Sequence, residues 1–333
     1  MTTEVVPGIY HLPLPIPAPS PDHVNAYLVR DDNECLLIDT GWDTKEAFDS
    51  LKAQLTEIGI SFEDISQIVV THIHPDHYGL AGRLKQLSQA RIAMHYLEKD
   101  FIKSRYINMD RLVRQLGGLL QANGVPSREA AQLSTASVRM TRFVTPTLPD
   151  ITLRGGEIVS SGSFNFHVLW TPGHSPGHIS LYEPQRKVLV SGDHILPDIT
   201  PNIALHPQSG PNPLSDYLSS LDAIKQLEVS LVLPGHGQPF TGAKQRIGQL
   251  IRHHGQRKSE ILKALDATSK TAYQIATNMT WKQDADSPSW SNLGPWGKRM
   301  AVLETLSHLE AMRIGEKLDK LTQDGTIYYQ RKR

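Results

Sequence analysis

The sequence predicts an α/β fold with a helical insertion and a small C-terminal domain of winged-helix order, on three observations. From Val24 to Leu233, short β-rich apolar runs alternate with segments whose apolar residues recur at helical spacing. Residues 97–140 break that alternation with helical texture alone, too long for a simple connection, and predict a helical cap. After Gly242 the order becomes helix, short helix, longer helix and terminal hairpin.

The elements follow in order. Val24 to Val29 is β-rich and ends at the turn-forming Asp31-Asp32-Asn33; Cys35 to Ile38 is a buried strand running into Asp39-Thr40-Gly41. Ala47, Phe48, Leu51, Leu55 and Ile58 mark one face of a helix over 43–58. The strand Gln67–Val70 leads into His72-Ile73-His74-Pro75-Asp76-His77, a helix spans Gly79 to Leu87, and a strand runs from Arg91 to Met94. The cap is expected as two or three helices broken at Gly117-Gly118 and at Gly124-Val125-Pro126. Strands resume at 164–170, 179–182 and 188–190, then a helix at 214–227 and a strand at 231–233 ending at Pro234-Gly235-His236-Gly237. Beyond the boundary, a helix spans 243–265, Thr271 caps a short helix, an irregular stretch covers 284–295, a long helix runs from Lys298 to Leu321, and Asp324-Gly325 turns into a last strand. The division is therefore 1–242 for the main domain and 243–333 for the C-terminal one.

Composition narrows the class. With 333 residues, 34 basic and 34 acidic side chains, the chain is formally neutral and of ordinary globular hydrophobicity. No apolar run approaches the roughly 18–20 residues a membrane span needs. Met1-Thr2-Thr3-Glu4-Val5 lacks the features of a signal peptide, and the single Cys35 sits in an apolar run as a small hydrophobe, so the expected location is cytoplasmic. The neutral total hides a split. Residues 243–333 hold 16 Lys and Arg against 9 Asp and Glu, an excess of +7, leaving −7 on residues 1–242.

Imidazole and carboxylate suit zinc and similar divalent ions, and four such donors fall within six residues directly after a buried strand. In an extended loop His72 and His74 point the same way and can chelate one ion, while the turn at Pro75 lets Asp76 and His77 face a neighbour. Four residues cannot close two sites. His174, Asp193 and His236 supply further donors, each at the end of an apolar strand on a Gly-containing turn. Two ions about 3.5–4 Å apart can share a hydroxide nucleophile and polarise the bond under attack.

Thr71 to His77 matches in full the H-x-H-x-D-H motif of the metallo-β-lactamase superfamily, which the chain resembles over about residues 5–240. Leu37-Ile38-Asp39-Thr40-Gly41, Thr171 to His178, Ser191-Gly192-Asp193 and Pro234-Gly235-His236-Gly237 match its other signatures in order. The resemblance implies an αββα sandwich with two metals, zinc first and iron or manganese as alternatives, at one edge. It places His72, His74 and His174 on the first ion, Asp76, His77 and His236 on the second, and Asp193 between them, with Asp76 and Asp193 catalytic. Asp39 is implied to hold the histidine loop; by itself it also reads as a cap for the following helix. His178 and His194, beside ligands, are read as hydrogen-bonding within the fold. His11, His23, His95, His167, His206, His253, His254 and His308 are read as ordinary surface or satisfied histidines.

The expected function is a metal-dependent hydrolase acting on an ester-type bond: a thioester, lactone or related carboxylic ester of a small molecule. Thr171 to His178 looks most like glyoxalase II and its relatives, yet no glutathione-binding stretch is found in the C-terminal helices. The C-terminal part resembles the winged-helix domain of β-lactamase-like proteins that include an endoribonuclease, and Arg331-Lys332-Arg333 can meet phosphates. An endoribonuclease or phosphodiesterase is thus the alternative, followed by a metal-bound DNA-binding regulator with little catalysis; winged helices also serve as dimerisation modules, which leaves a homodimer open. Tyr78, Asp198 and Asn202 are expected to line the substrate pocket, and Trp281, Trp290 and Trp296 to be core or interface aromatics.

Overall fold

A computed structural model describes residues 2–17, 23–31, 34–265, 268–281 and 289–332. The turn read at 32–33, the end of the proline-rich tract at 18–21, residues 284–288 of the irregular stretch and Arg333 lie outside the described residues.

Apolar runs buried on both faces need cover on both faces. The first sheet has seven strands in chain order: β1 (Thr3–Val6), β2 (Ile9–Pro15), β3 (His23–Asp31), β4 (Glu34–Ile38), β5 (Ile65–Val70), β6 (Arg91–His95) and β7 (Ile151–Leu153). β1 to β4 pair antiparallel, and β4 to β7 run parallel. Its outer face packs Leu37, Ile68 and Ile92 against α1 (Lys45–Glu57) and α3 (Ala81–Ser88), through Leu51, Leu55 and Leu84. Thr44 caps α1, accepting from Ala47 N at 3.1 Å; Asp39 does not.

The inner face meets a second sheet of β8 (Ile158–Ser161), β9 (Phe164–Trp170), β10 (Ile179–Glu183), β11 (Val188–Gly192) and β12 (Leu231–Pro234), ordered β12-β11-β10-β9-β8. Ile38 and Val69 from one sheet share a buried cluster with Phe166, Leu181 and Val190 from the other. The outer face of this sheet is covered by α7 (Pro213–Lys225) and the start of α8 (Ala243–Ala264), through Tyr217, Leu221, Ile247 and Leu250. The layers are therefore helix, sheet, sheet, helix, as expected. β7 and β8, of three and four residues, carry too short an alternation to be read from sequence.

The cap comprises α4 (Tyr96–Ile102), a π-helical turn at Lys103–Ile107, α5 (Asp110–Ala122) and α6 (Ser127–Ser134). Gly117 and Gly118 do not break it; they lie inside α5. Each glycine costs about 1 kcal/mol there, offset by burial of Leu116 and Leu120 against the helix that follows. The break at 124–126 is real: Gly124 takes φ +90° and Pro126 precedes α6.

The C-terminal part contains the rest of α8, α9 (Ala272–Ala276), α10 (Pro295–Ile314) and a hairpin of β13 (Leu318–Gln323) and β14 (Thr326–Arg331). Thr271 and Gln274 form a capping box on α9. The long helix ends at Ile314, not Leu321. Gly315 follows it, Glu316 takes φ +57°, and 318–321 pair with β14 instead. The hairpin turns through Asp324 and Gly325, both at positive φ, as a two-residue turn of this hand requires.

This part is packed on the cap. Leu120, Val125 and Leu133 share a cluster with Ala276, Val302 and Leu303, flanked by Trp281 and Trp290. Trp296 departs from the expectation of burial: it is 49% exposed and lies under the Arg299 guanidinium.

One close approach anchors the site to this frame. A Cβ on Gly79, just beyond α2 (Pro75–Tyr78), would stand 2.5 Å from Pro75 O and 2.7 Å from Gly41 O. Both are backbone atoms that cannot yield cheaply. Gly79→Ala is expected to destabilise the protein by about 2 kcal/mol or more, measured as a lowered denaturation midpoint; an unchanged midpoint refutes the packing claim.

Candidate metal centre

Strands ending at one edge of a sandwich deliver their following loops to one place. Here β5 delivers His72, His74, Asp76 and His77; the β9–β10 turn delivers His174; β11 delivers Asp193; and β12 delivers His236. His72 Nε2 and His174 Nε2 each lie 2.9 Å from His74 Nδ1. His77 and His236 form the other half. His236 Nε2 is 3.2 Å from Asp76 Oδ2, and His77 Nε2 is 3.9 Å from that oxygen. Asp193 stands between the halves, with Oδ2 3.6 Å from Nε2 of both His174 and His236, and Oδ1 3.4 Å from His77 Nε2. The donors fall into three overlapping groups whose ligand atoms lie within 4.8 Å: His72, His74, His174; His72, His77, Asp193; and Asp76, His77, His236.

These residues fit a cation. Three imidazole nitrogens converge with at most one proton to share between any two, and His77 Nε2 and Asp193 Oδ1 are buried without a hydrogen-bond partner among the described residues. Leaving such groups unsatisfied costs about 1–3 kcal/mol each. The electrostatics divide the same way. Burial and neighbouring imidazoles hold His72 and His74 well below the usual histidine range, so that half offers neutral nitrogen donors. Burial also works against charge on His77 and His236, but it is overcome. Asp193, Asp39 and Asp76 hold His77 well above its usual range, and Asp193 and Asp76 raise His236 to about 9.

The sequence model of the metallo-beta-lactamase superfamily matches residues 19–236, spanning this whole constellation. The chain belongs to that superfamily. It is 29% identical over 340 residues to the Bacillus subtilis protein named probable metallo-hydrolase YqjP, covering 99% of this chain and 98% of that one. It is 28% identical over 234 residues, 66% of this chain and 75% of the relative, to human acyl-coenzyme A thioesterase MBLAC2. Among solved structures, a metallo-beta-lactamase family protein from Thermus thermophilus superposes with a TM-score of 0.83 at 32% identity, covering 99% of this chain and 100% of that one. The protein is a hydrolytic enzyme of the superfamily, and its His and Asp clusters fit a metal site.

How this superfamily member holds its loops is visible in the hydrogen bonds. Asp39, at the end of β4, adopts φ +60°, a left-handed conformation that Asp tolerates better than most residues. Its Oδ1 accepts from Thr71 N at 2.7 Å, and its Oδ2 accepts from Thr71 Oγ1 at 2.8 Å and lies 2.7 Å from His77 Nδ1. Thr40 donates from both N and Oγ1 to His77 O, each at 2.8 Å. His178, between Thr171 Oγ1 and Asp193 N, is hydrogen-bonded within the fold as expected. Gly235 is required by proximity, since a Cβ there would stand 2.3 Å from Asp193 Oδ1.

The three pocket residues fare differently. Tyr78 does not face an open pocket. It is fully buried, bonded through its hydroxyl to Thr147 and stacked on Tyr106, because α2 turns it beneath the cap. Asp198 is exposed on a loop beside Gly237, held by Arg246, which donates to Leu196 O and Ile199 O. Asn202 is half-buried and supports a predicted ligand: its carbonyl lies 3.0 Å from His174 Nδ1, and its amide donates to Glu304 Oε2 at 2.8 Å.

Sequence inspection missed two carboxylates. Glu98, fully buried on α4, accepts from Ile73 N at 3.0 Å and Gly177 N at 2.6 Å, tying the β5 loop to the β9–β10 loop. Glu304, on α10, holds Asn202 from the C-terminal part, and burial raises its carboxyl to about 7. No local motif marks either one. A charged residue inside an amphipathic helix reads as solvated surface.

Removing the Asp39 carboxylate should loosen Thr71 and His77 together. Asp39→Ala is expected to weaken metal affinity about 10–100-fold, followed by competition with a chromogenic chelator. Wild-type affinity in a folded variant would refute this positioning role.

Proposed function

We propose that the centre holds two divalent metal ions, zinc ahead of iron or manganese, and hydrolyses a carboxylic ester-type bond, a thioester foremost. The observation that carries the proposal is the convergence of seven donor side chains from four strand ends, split by Asp193 into two halves. In it His72, His74 and His174 hold one ion and Asp76, His77 and His236 the other. Ions so held supply Lewis acidity and water ionised near pH ~7.

The chain's own residues do the rest. Asp193 spans both halves and fixes their separation. Asp76, half-buried, holds one ion and orients the attacking water. Asp39, Glu98 and Asn202 keep His77, the two loops and His174 in place, so little reorganisation accompanies reaction. The thioester preference is supported by the human relative's name as an acyl-coenzyme A thioesterase.

We further propose 1–242 as the catalytic unit and 243–333 as a module that braces the cap and the His174 loop. The phosphodiester alternative draws less support. Arg331 is exposed, but its guanidinium is engaged at Leu262 O at the end of α8, its Nε donating at 3.1 Å. Among the described residues no helix is long and apolar enough to cross a membrane.

Elemental analysis should find about two zinc, iron or manganese ions per chain, and a metal-free purified protein sinks the proposal. Asp193→Ala is expected to lose hydrolysis by at least about 10²-fold while keeping the fold by circular dichroism; undiminished activity contradicts the bridging role. A panel of thioesters, lactones, phosphodiesters, β-lactams and single-stranded RNA should give the highest kcat/KM on a thioester. Salt-dependent RNA cleavage as the best activity would favour the nuclease alternative.

A further inference from the structure

π-Helical turns cluster at functional positions, and the one at Lys103–Ile107 is anchored to the metal centre. Tyr106 donates its hydroxyl hydrogen to Ile73 O, between His72 and His74. The preceding residue, Arg105, is half-buried, and its Nε donates to Gln208 Oε1 at 3.1 Å. Gln208 is itself fixed, donating from Nε2 to Ser104 Oγ at 2.9 Å and from its backbone N to His206 Nδ1 at 3.1 Å. Arg105 is therefore held by a neutral amide through one nitrogen. Among the described residues it makes no ion pair, and no protein acceptor takes its two Nη groups.

A second guanidinium stands nearby. Arg299 on α10 is only 6% exposed and is bound by neutral acceptors, Leu133 O at 3.3 Å and Ser137 Oγ at 3.0 Å. Leu133 lies in the last turn of α6, whose partial negative charge suits a cation, so Arg299 has a structural role of its own. His206 sits in the field of both arginines. Burial, then Arg105 and Arg299, hold its imidazole at about 3, so it stays neutral and adds no competing charge. Burial and the charge of Arg105 bring Arg299 down to about 10, still protonated at neutral pH.

Arg105 and Arg299, close enough that the charge of one lowers the pKa of the other, have only neutral hydrogen-bond partners among the described residues. His74, Asp76, His174 and Asn202 are only half-buried, so this face of the centre reaches solvent. A planar guanidinium fork with free Nη groups matches the two oxygens of a carboxylate or phosphate. We propose that Arg105 recognises an anionic oxygen group, carboxylate or phosphate, on the substrate of the metal centre, with Arg299 and His206 forming the wall behind it. What the anion is attached to rests on the ester-hydrolase proposal above; the binding of an anion does not.

The test compares hydrolysis of phenyl acetate, monophenyl succinate and 4-acetoxyphenyl phosphate by the metal-loaded protein. Wild type is expected to favour one of the anionic esters over phenyl acetate by about tenfold or more in kcat/KM, mainly through KM; which ester wins tells carboxylate from phosphate. Arg105→Gln should lower that ratio about tenfold at unchanged metal content, and Arg105→Lys should restore part of it. The inference is overturned if wild type prefers neither anionic ester, or if Arg105→Gln keeps the wild-type ratio. Should wild type hydrolyse none of the three, the ester proposal fails separately. Calorimetric titration of the metal-loaded protein with inorganic sulfate at fixed ionic strength then decides: about tenfold weaker binding in Arg105→Gln upholds the anion site, and equal binding overturns it.

Discussion

The structure depends on a buried carboxylate at the end of a strand. Asp39 sits where β4 ends and β5 delivers the histidine loop, and it satisfies Thr71 N, Thr71 Oγ1 and His77 Nδ1 at once. A carboxylate there is costly unless its lone pairs are filled, and the loop fills them only in the arrangement that aims His77 Nε2 at Asp193. The cost of burying one group thus selects the geometry of another. Thr40, bonded twice to His77 O, and Gly79, packed on Gly41 O, leave that loop little freedom to relax.

The same logic runs outward. Glu98 binds the backbone of the β5 and β9–β10 histidine-bearing loops, so the first sheet and the second are joined at the site as well as through the apolar core between them. Asn25 adds a third tie, donating from its amide to Pro234 O and Gly237 O on either side of His236. Asn202 and Glu304 extend the network to α10. The C-terminal part therefore does not hang from the sheet layers. Its helix touches a residue that touches His174, and its apolar face is shared with the cap.

This packing explains where local reading and structure part. Gly117-Gly118 looks like a helix break, but tertiary burial of α5 outweighs a local preference worth about 1 kcal/mol per glycine. The apolar pattern past Ile314 looks helical until β14 offers a partner, and then Leu318–Gln323 becomes a strand. Tyr78 is adjacent to the motif in sequence, yet the helical turn starting at Pro75 rotates it into the core.

The β-rich runs, the helical insertion and the placing of His and Asp side chains after strand ends are legible in the sequence by itself as local signals, while the sandwich is implied by the resemblance to the superfamily. Apolar runs make strands, and donors placed on Gly-containing turns directly after them must emerge at strand ends. Only the tertiary structure decided which side chains support those donors. Glu98, Glu304 and Arg105 lie 20 to over 100 residues from their partners, and nothing in their own neighbourhoods distinguishes them from solvated polar residues; Asn202 reads as pocket-lining, and its bond to His174 appears only in the fold. Burial gives them meaning, and burial is a property of the assembled layers.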